Sequence, residues 1–486
     1  MRPLWYCLIA LFILVLLSAP MNAQWRCVYA TYDDASNGTG HNTVNVGVIS
    51  EDTFVAVVWT PSTSDPRGLR NFFVPYVDAD SALGRIGDPG YGGATSGVYH
   101  SWSDGGFDQV PFSSLTNIKA TADGVIYGAN NDDLHNILVF KFESNTIAAQ
   151  SPFYRQETGA NRLAAIEVDG NGYVYVVNDT TDGVTDDVKI YPPIAQWTAH
   201  NEAPAQTIDL PDGIYKGIAA SPDGSMLFIS DYANRSILKY TGTPTTGYTI
   251  DLGFTFALAD GDTVAGRTTK PSMLNLAYKS PENILFAASD FYLTSAYEWG
   301  RIYLIHPATG ALASTDSSVS IIDAAQWNFD LTGVYNNRVN GTTPGNMSGY
   351  ASTFDVELDA AGNVYSQSHY GWTVEKWTFD GTLPTLSLTS VEPVRNTTPE
   401  GYSLGRNYPN PFNPSTTIEF SLPAHSHVVI QIYDALGRNV ATLADGVYEA
   451  GRYKAHFNAA DLPSGIYYAR MTTGDFRAMQ KMLLMK

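Results

Sequence analysis

The sequence predicts an all-β chain: a β-propeller, with six blades favoured over seven, followed by a small Ig-like antiparallel β-sandwich. Three observations carry this. A hairpin pattern recurs through residues 40–385. Glycine (42) and tyrosine (30) are abundant, as in turn-rich β architecture. The last eighty-odd residues change composition and alternate strictly between apolar and polar positions.

Residues 1–23 come first. "MRPLWYCLIALFILVLLSAPMNA" has one basic residue, an apolar run from Leu4 to Leu17 and small residues leading to Ala23. That is the pattern of a secretory signal peptide, and the run is short for a membrane span. Cleavage is expected at Ala23–Gln24. Cys7 departs with the signal and leaves Cys27 alone, so the exported chain must be stable without an internal disulfide.

Residues 24–384 form the expected propeller. The recurring unit is seen in "LTNIKATADGVIYGANND" from Leu115, "LAAIEVDGNGYVYVVND" from Leu163, "YKGIAASPDGSMLFISD" from Tyr215 and "STFDVELDAAGNVYSQS" from Ser352. "MLNLAYKSPENILFAASD", from Met273, has a weaker turn, and "TVNVGVISEDTFVAVVW", from Thr43, fits less well. Each is a strand, a turn carrying Asp, Gly or Asn, and a second strand; a third follows in "SILKY" and "RIYLIH". The equivalent positions Ile118, Ile166, Ile218, Leu276 and Val356 are 48, 52, 58 and 80 residues apart. That spacing suits propeller blades with loop insertions; a β-helix would have shorter coils and a sandwich would not repeat.

One blade resembles a known family. "GIAASPDGSMLFISDYANRSILKY", Gly217 to Tyr240, is similar to a blade of the NHL and YVTN propellers. The resemblance implies a structural role for Asp231 and the Asn234–Arg235 pair in the hairpin after the second strand.

Charge narrows the partners. The chain has 28 basic and 48 acidic residues; from Glu400 onward there are 8 basic and 7 acidic, so the excess of acid lies in the propeller. Such a field repels nucleic acid and anionic membranes, and binding to nucleic acid is not expected. After the signal no apolar run is long enough to span a bilayer.

Catalytic signatures are sparse. There is no G-x-S-x-G, H-E-x-x-H, phosphate loop or C-x-x-C. The propeller's histidines, His41, His100, His135, His200, His306 and His369, are scattered, and His425 and His427 sit in a turn-like "PAHSH". A gluconolactonase-like propeller would carry Asn-Gly before the "SPDG" strand to help hold a divalent ion. This chain has Lys216–Gly217 there, and an ammonium has no lone pair to give a metal. Asn117, Asn161 and Asn275 could supply oxygens from other blades.

Two sets of candidate residues remain. Calcium is the one cofactor considered, with Asp169, Asp179, Asp182, Asp186 and Asp187 as its oxygen donors in a glycine-rich stretch that lacks an EF-hand pattern. Aromatic loops after strands supply the ligand-binding candidates: Trp102, Tyr292, Trp299, His369, Tyr370 and Trp372. Aromatics beside Asp and His suit sugar rings or peptide side chains.

Residues 385–400, "TLSLTSVEPVRNTTPE", read as a linker, and residues 401–486 as a separate domain. Alternation places strands at 416–422, 428–433, 451–457, 465–472 and 476–485. Ahead of them stand Pro409, Asn410, Pro411, Phe412, Asn413 and Pro414, whose prolines cannot join a central strand. With the turns around Gly437 and Gly451, "LPSGIYY" carrying Gly465 and Tyr467, and the end "KMLLMK" between Lys481 and Lys486, this tail resembles the type A C-terminal sorting domain of type IX secretion. The resemblance implies export through the periplasm of a Gram-negative bacterium and recognition by the type IX translocon. Removal at the linker would leave the propeller secreted or on the outer-membrane surface. The expected role is a binding module for a glycan, peptide or envelope protein rather than an enzyme. The alternatives are a metal-dependent hydrolase, lactonase or lyase working at the channel, and a structural matrix component.

Overall fold

A computed structural model describes residues 24–30, 42–59, 71–76, 98–101, 107–110, 115–130, 137–144, 146–149, 163–179, 186–197, 203–258, 263–264, 267–268, 271–293, 296–332, 353–368, 373–386, 391–393, 399 and 401–486, the last without 449, 460–461 and 475.

Six antiparallel sheets stand around one axis. Blade 1 is Asn42–Ser50, Thr53–Trp59 and Asn71–Tyr76. Blade 2 is Leu115–Ala120, Val125–Asn130, Ile137–Glu143 and Thr146–Ala149. Blade 3 is Leu163–Val168, Val174–Asn178, Asp187–Tyr191 and Gln206–Asp209. Blade 4 is Tyr215–Ala220, Met226–Asp231, Ser236–Thr243 and Gly247–Ile250. Blade 5 is Ser272–Lys279, Ile284–Leu293, Ala296–Ile305 and Ile321–Asp323. Blade 6 is Asp355–Leu358, Val364–Ser368 and Thr373–Phe379. The first strand of each blade lies against that of the next, and blade 6 returns to blade 1, so the ring closes at six.

The reason is visible in the packing. Each sheet buries both faces, and six apolar clusters fill the six gaps between neighbours. Val55 and Val57 of blade 1 meet Leu115 and Ile118 of blade 2, for example, and Leu274 of blade 5 meets Val356 of blade 6.

The turns between first and second strands explain the repeat. Gly124, Gly172, Gly224 and Gly362 hold φ of +84°, +85°, +68° and +90° at matching positions. Asp52 and Asn283 take the same left-handed conformation in blades 1 and 5, at 59° and 58°. Only Gly, Asn and Asp enter that region at low cost, so the turn chemistry recurs where the rest of the blade drifts.

Blade 6 takes its outermost strand from the other end of the chain. Trp25–Ala30 pairs with Thr373–Phe379, Trp25 opposite Phe379 and Ala30 opposite Glu375. The Trp25 ring meets Phe379 at 5.1 Å and Phe286 at 6.2 Å, and its Nε1–H donates to Val319 O at 3.0 Å. The residues just past the expected cleavage point therefore close the ring. The sequence pattern did not reveal this strand.

The tail is a body of its own. One sheet runs Val391–Pro393, Gly451–Asn458, Ser415–Leu422, Ser403–Tyr408; the other runs Asn439–Tyr448, Ser426–Asp434, Gly465–Thr473, Phe476–Leu484. Their inner faces share a single core that includes Ile418, Phe420, Ile430, Ile432, Phe457 and Met471. All five expected strands are present, and Ser403–Tyr408 and Asn439–Tyr448 are additional. The expected linker is divided between the two bodies. Leu386 N–H donates to Glu282 O at 2.7 Å in the propeller, while Val391–Pro393 is already an edge strand of the tail.

The proline-rich stretch has a specific task. Phe412 is buried in the tail core, its N–H donates to Leu483 O at 2.9 Å, and its carbonyl accepts from Met485 N–H at 3.0 Å. Asn410 exchanges two bonds with the same strand, through Lys481 O and Leu483 N–H. Pro409, Pro411 and Pro414 have no N–H to offer a competing sheet, so Phe412 and Asn410 clamp the final strand. No helix among the described residues is long and apolar enough to cross a membrane.

Candidate functional site

The site is the mouth of the central channel, where the six inner strands begin. In register along these strands stand Asn45, Asn117, Ala165, Gly217, Asn275 and Asp355. Local register shifts at five of the six strand starts leave the residue just before each of these positions out of the ladder, Thr116, Ala164 and Lys216 among them, and in blade 5 Leu274 and Asn275.

Four of the side chains form a belt from blade to blade. Asn45 Nδ2 donates to Thr116 O at 2.9 Å, and Asn117 Nδ2 donates to Asn45 Oδ1 at 2.8 Å. Asn117 Oδ1 accepts from Ile166 N–H at 3.0 Å. Across the ring Asn275 Nδ2 donates to Asp355 Oδ1. Asp355 also accepts the Val46 and Val356 N–H groups, each at 2.9 Å. Burial pushes the Asp355 carboxyl up, against the pull of Asn275 and those two N–H donors. The belt ties blades 5, 6, 1, 2 and 3 and skips blade 4. There Gly217 leaves room for its neighbour: a Cβ would lie 2.5 Å from Leu274 O and 2.6 Å from Asn275 Cα.

Lys216, beside that glycine, is the mouth's half-exposed cation. Its Nζ stands 3.7 Å from the buried Asp179 carboxylate of blade 3. Together with Asn275 and the belt, this pair borders a cavity of about 310 Å³ whose apolar walls include Leu163, Leu274 and Phe354.

Two residues further along the strands the channel is plugged. The positions there are Gly47, Lys119, Glu167, Ala219, Ala277 and Glu357. Lys119 Nζ bonds Glu357 Oε1 and Oε2 at 3.1 and 2.9 Å and pairs with Glu167 Oε2 at 3.2 Å. Burial pushes Glu357 up to about 8; Lys119 opposes this, and Glu167 and Asp355 add to it. Glu167 is raised by the same burial. Burial alone would lower Lys119, but the two glutamates hold it well above the ordinary lysine range. One ammonium thus faces two buried carboxylates, both raised above the ordinary glutamate value.

The sequence-derived candidates separate. Asp169 caps the turn at one end of blade 3, accepting the N–H groups of Asn171 and Tyr173 at 2.9 Å. Asp179, Asp186 and Asp187 lie at the other end of Val174–Asn178, about 17 Å away for five strand residues. Asp182 lies outside the described residues. Among the described residues no group of three His, Cys, Asp or Glu side chains is arranged to hold a metal. Asp169 is thus held apart from Asp179, Asp186 and Asp187 by the extended strand between them.

Of the aromatic candidates, Tyr292 and Trp299 lie on the hairpin Ile284–Leu293 and Ala296–Ile305, whose ten-residue strands are the longest of the propeller. The Leu293–Ala296 end of the pair lies at the mouth end, since second strands run toward that face. Trp102, His369, Tyr370 and Trp372 lie outside the described residues, as does Asn161. Asp231 accepts from Asn234 N–H at 2.9 Å and from Asn234 Nδ2 at 2.7 Å, a hairpin cap.

In the tail, Asp434 Oδ1 accepts the Leu436 and Arg438 N–H groups at 2.9 Å, and Gly437 has φ +78°. Gly451 sits over the Tyr453 ring, and Gly465 opens the strand that carries Tyr467. Tyr467 O–H donates to Pro463 O at 2.8 Å, and Lys486 N–H donates to Ser464 Oγ at 2.9 Å. Asn413 and Pro414 lead into Ser415–Leu422, and Pro414 O accepts from Ala459 N–H.

Lys119, Glu167, Glu357, Asn45 and Asp355 were not among the candidates. Aligning the repeats in register would have placed the first three at one depth and the last two in the belt.

Residues 406–485 match the family of the secretion system C-terminal sorting domain. The tail is therefore a sorting domain of type IX secretion. A search of the curated proteins finds no match to this chain. Among solved structures, the chain is similar to the β-propeller domain of Cps50 (Swd1) from Myceliophteria thermophila, with 11% identity over 70% of this chain and 97% of that one, at a TM-score of 0.35. It is similar to a Lactobacillus plantarum protein, with 11% identity over 75% and 97% and a TM-score of 0.38. It is also similar to a luciferin-regenerating enzyme, with 12% identity over 75% and 99% and a TM-score of 0.37. These likenesses concern the fold and carry no ligand or activity across.

Proposed function

We propose that this chain is a type IX secreted or surface-held propeller that binds an extracellular ligand at its channel mouth. The observation that carries the reading is the use of the mouth's carboxylates. Asp355 is occupied by Val46, Val356 and Asn275, and Asp179 faces Lys216, so neither is positioned as a lone base or as part of an oxygen cage. Below them the Lys119–Glu167–Glu357 cluster spans the channel, beneath a recess lined by both polar and apolar side chains. The strand ends of blade 5 that carry Tyr292 and Trp299 in sequence reach the same end of the ring, and aromatic residues there suit a glycan or peptide ligand. Export follows from the sorting domain's family: recognition by the translocon, then residence outside the cell.

The test is a binding screen of the full chain against soluble glycans and peptides, repeated with Lys216→Glu. A ligand lost in the variant, with thermal stability unchanged, supports the mouth. One tightly held divalent ion per chain, together with a hydrolytic turnover abolished by chelation, would replace this reading with the enzyme alternative.

A further inference from the structure

We infer, on the premise that the mouth is the binding face, that its recess takes one neutral pyranose ring, the end residue of a glycan, with Lys216 and Asp179 as the discriminating pair. The Asn45 and Asn117 amides and Asp355 are engaged with one another and with backbone groups, and Asn275 is engaged through its Nδ2 alone, so recognition falls to what borders the gap at blade 4. At 3.7 Å the Lys216 ammonium and the Asp179 carboxylate form an ion pair but not a full hydrogen bond. Lys216 carries three N–H donors, and a carboxylate has about four acceptor positions. The pair presents ammonium donors beside a carboxylate that balances their charge, which suits a neutral hydroxyl-bearing ring.

Charge gives neither anion nor cation an unopposed partner. An anionic ligand brought to Lys216 also meets Asp179 and Asp355, and a cationic one brought to those carboxylates meets Lys216. A second observation points the same way. Asn275 Oδ1 is buried beside the recess without any hydrogen-bond partner, an acceptor suited to a hydroxyl donor. Leu163 and Leu274 supply apolar wall for the ring's C–H face. The volume, about 310 Å³, is at the lower end of small-molecule sites, which run from roughly 300 to 1,000 Å³. It has room for one ring rather than a chain lying across the channel.

The experiment uses the full chain, saturation-transfer NMR and calorimetry. The probes are the methyl glycosides of glucose, galactose and mannose, with sodium glucuronate and glucosamine as the charged comparisons. Lys216→Met removes the donors, Lys216→Arg restores them, and thermal unfolding shows that each variant is folded. Binding of a neutral glycoside that falls tenfold or more in Lys216→Met and is retained in Lys216→Arg supports the inference. Preference for glucuronate or glucosamine, or neutral binding indifferent to Lys216→Met, overturns it. If no sugar binds but a peptide or protein ligand is lost in Lys216→Met, the sugar inference falls and the mouth reading stands. If Lys216→Met changes the binding of no ligand at all, the mouth reading falls with it.

Discussion

Lys119, Glu167 and Glu357 make the propeller's stability depend on pH at a defined point. The Glu357 carboxyl sits at about 8 in the folded chain against an ordinary value of 4.5. Between those values the folded state holds a proton that the unfolded state has released, so this group's contribution falls as pH rises from about 4.5 to 8. Glu357→Gln, which cannot ionise, is expected to flatten the fall of Tm between pH 5 and 8; a variant with the parental slope would contradict the assignment. Lys119→Met leaves two buried carboxylates without their cation and is expected to cost about 3–5 kcal/mol, read by chemical denaturation. A change below about 1 kcal/mol would mean that the triad is not buried as described. None of this was legible residue by residue, because Lys119 and Glu357 are 238 positions apart and meet only when the ring closes.

At the scale of elements, the hairpins were legible and the closures were not. Asp-Gly and Asn turns recur because six turns need a left-handed residue at the same place. Alternation revealed the tail strands because one face of each meets a single core. Trp25–Ala30, by contrast, completes a sheet begun some 350 residues later, and no local pattern encodes that partner. Its side chain is half-buried, so Trp25→Ala is expected to lower propeller stability by about 2–3 kcal/mol, somewhat less than loss of a fully buried Trp. An unchanged propeller transition would show that the closing strand is dispensable. The proline-rich stretch read as a rigid approach, and it is one; its clamp on Phe476–Leu484 depends on Phe412, whose partner strand lies some seventy residues away. Phe412→Ala is expected to destabilise the tail by about 3–5 kcal/mol while leaving the propeller transition in place. Calorimetry of the full chain separates the two, and a joint shift would mean that the bodies unfold as one.

For the whole molecule, acid charge, ring and tail divide the labour. The ring carries the acidic excess and the recess; the tail carries near-balanced charge and the sorting motif. Six inter-blade cores belong to one body and a seventh to the other, and among the described residues no sheet combines strands of both. The recess was not legible in the sequence, because it is assembled from single residues of separate blades and from a glycine whose missing side chain makes space. The most direct measurement is the location and fold of the propeller after residues 401–486 are removed. The expected result is a protease-resistant propeller retained in the periplasm, with its thermal transition and mouth ligand unchanged. Delivery to the surface without the tail, or a propeller that no longer folds, would contradict the division.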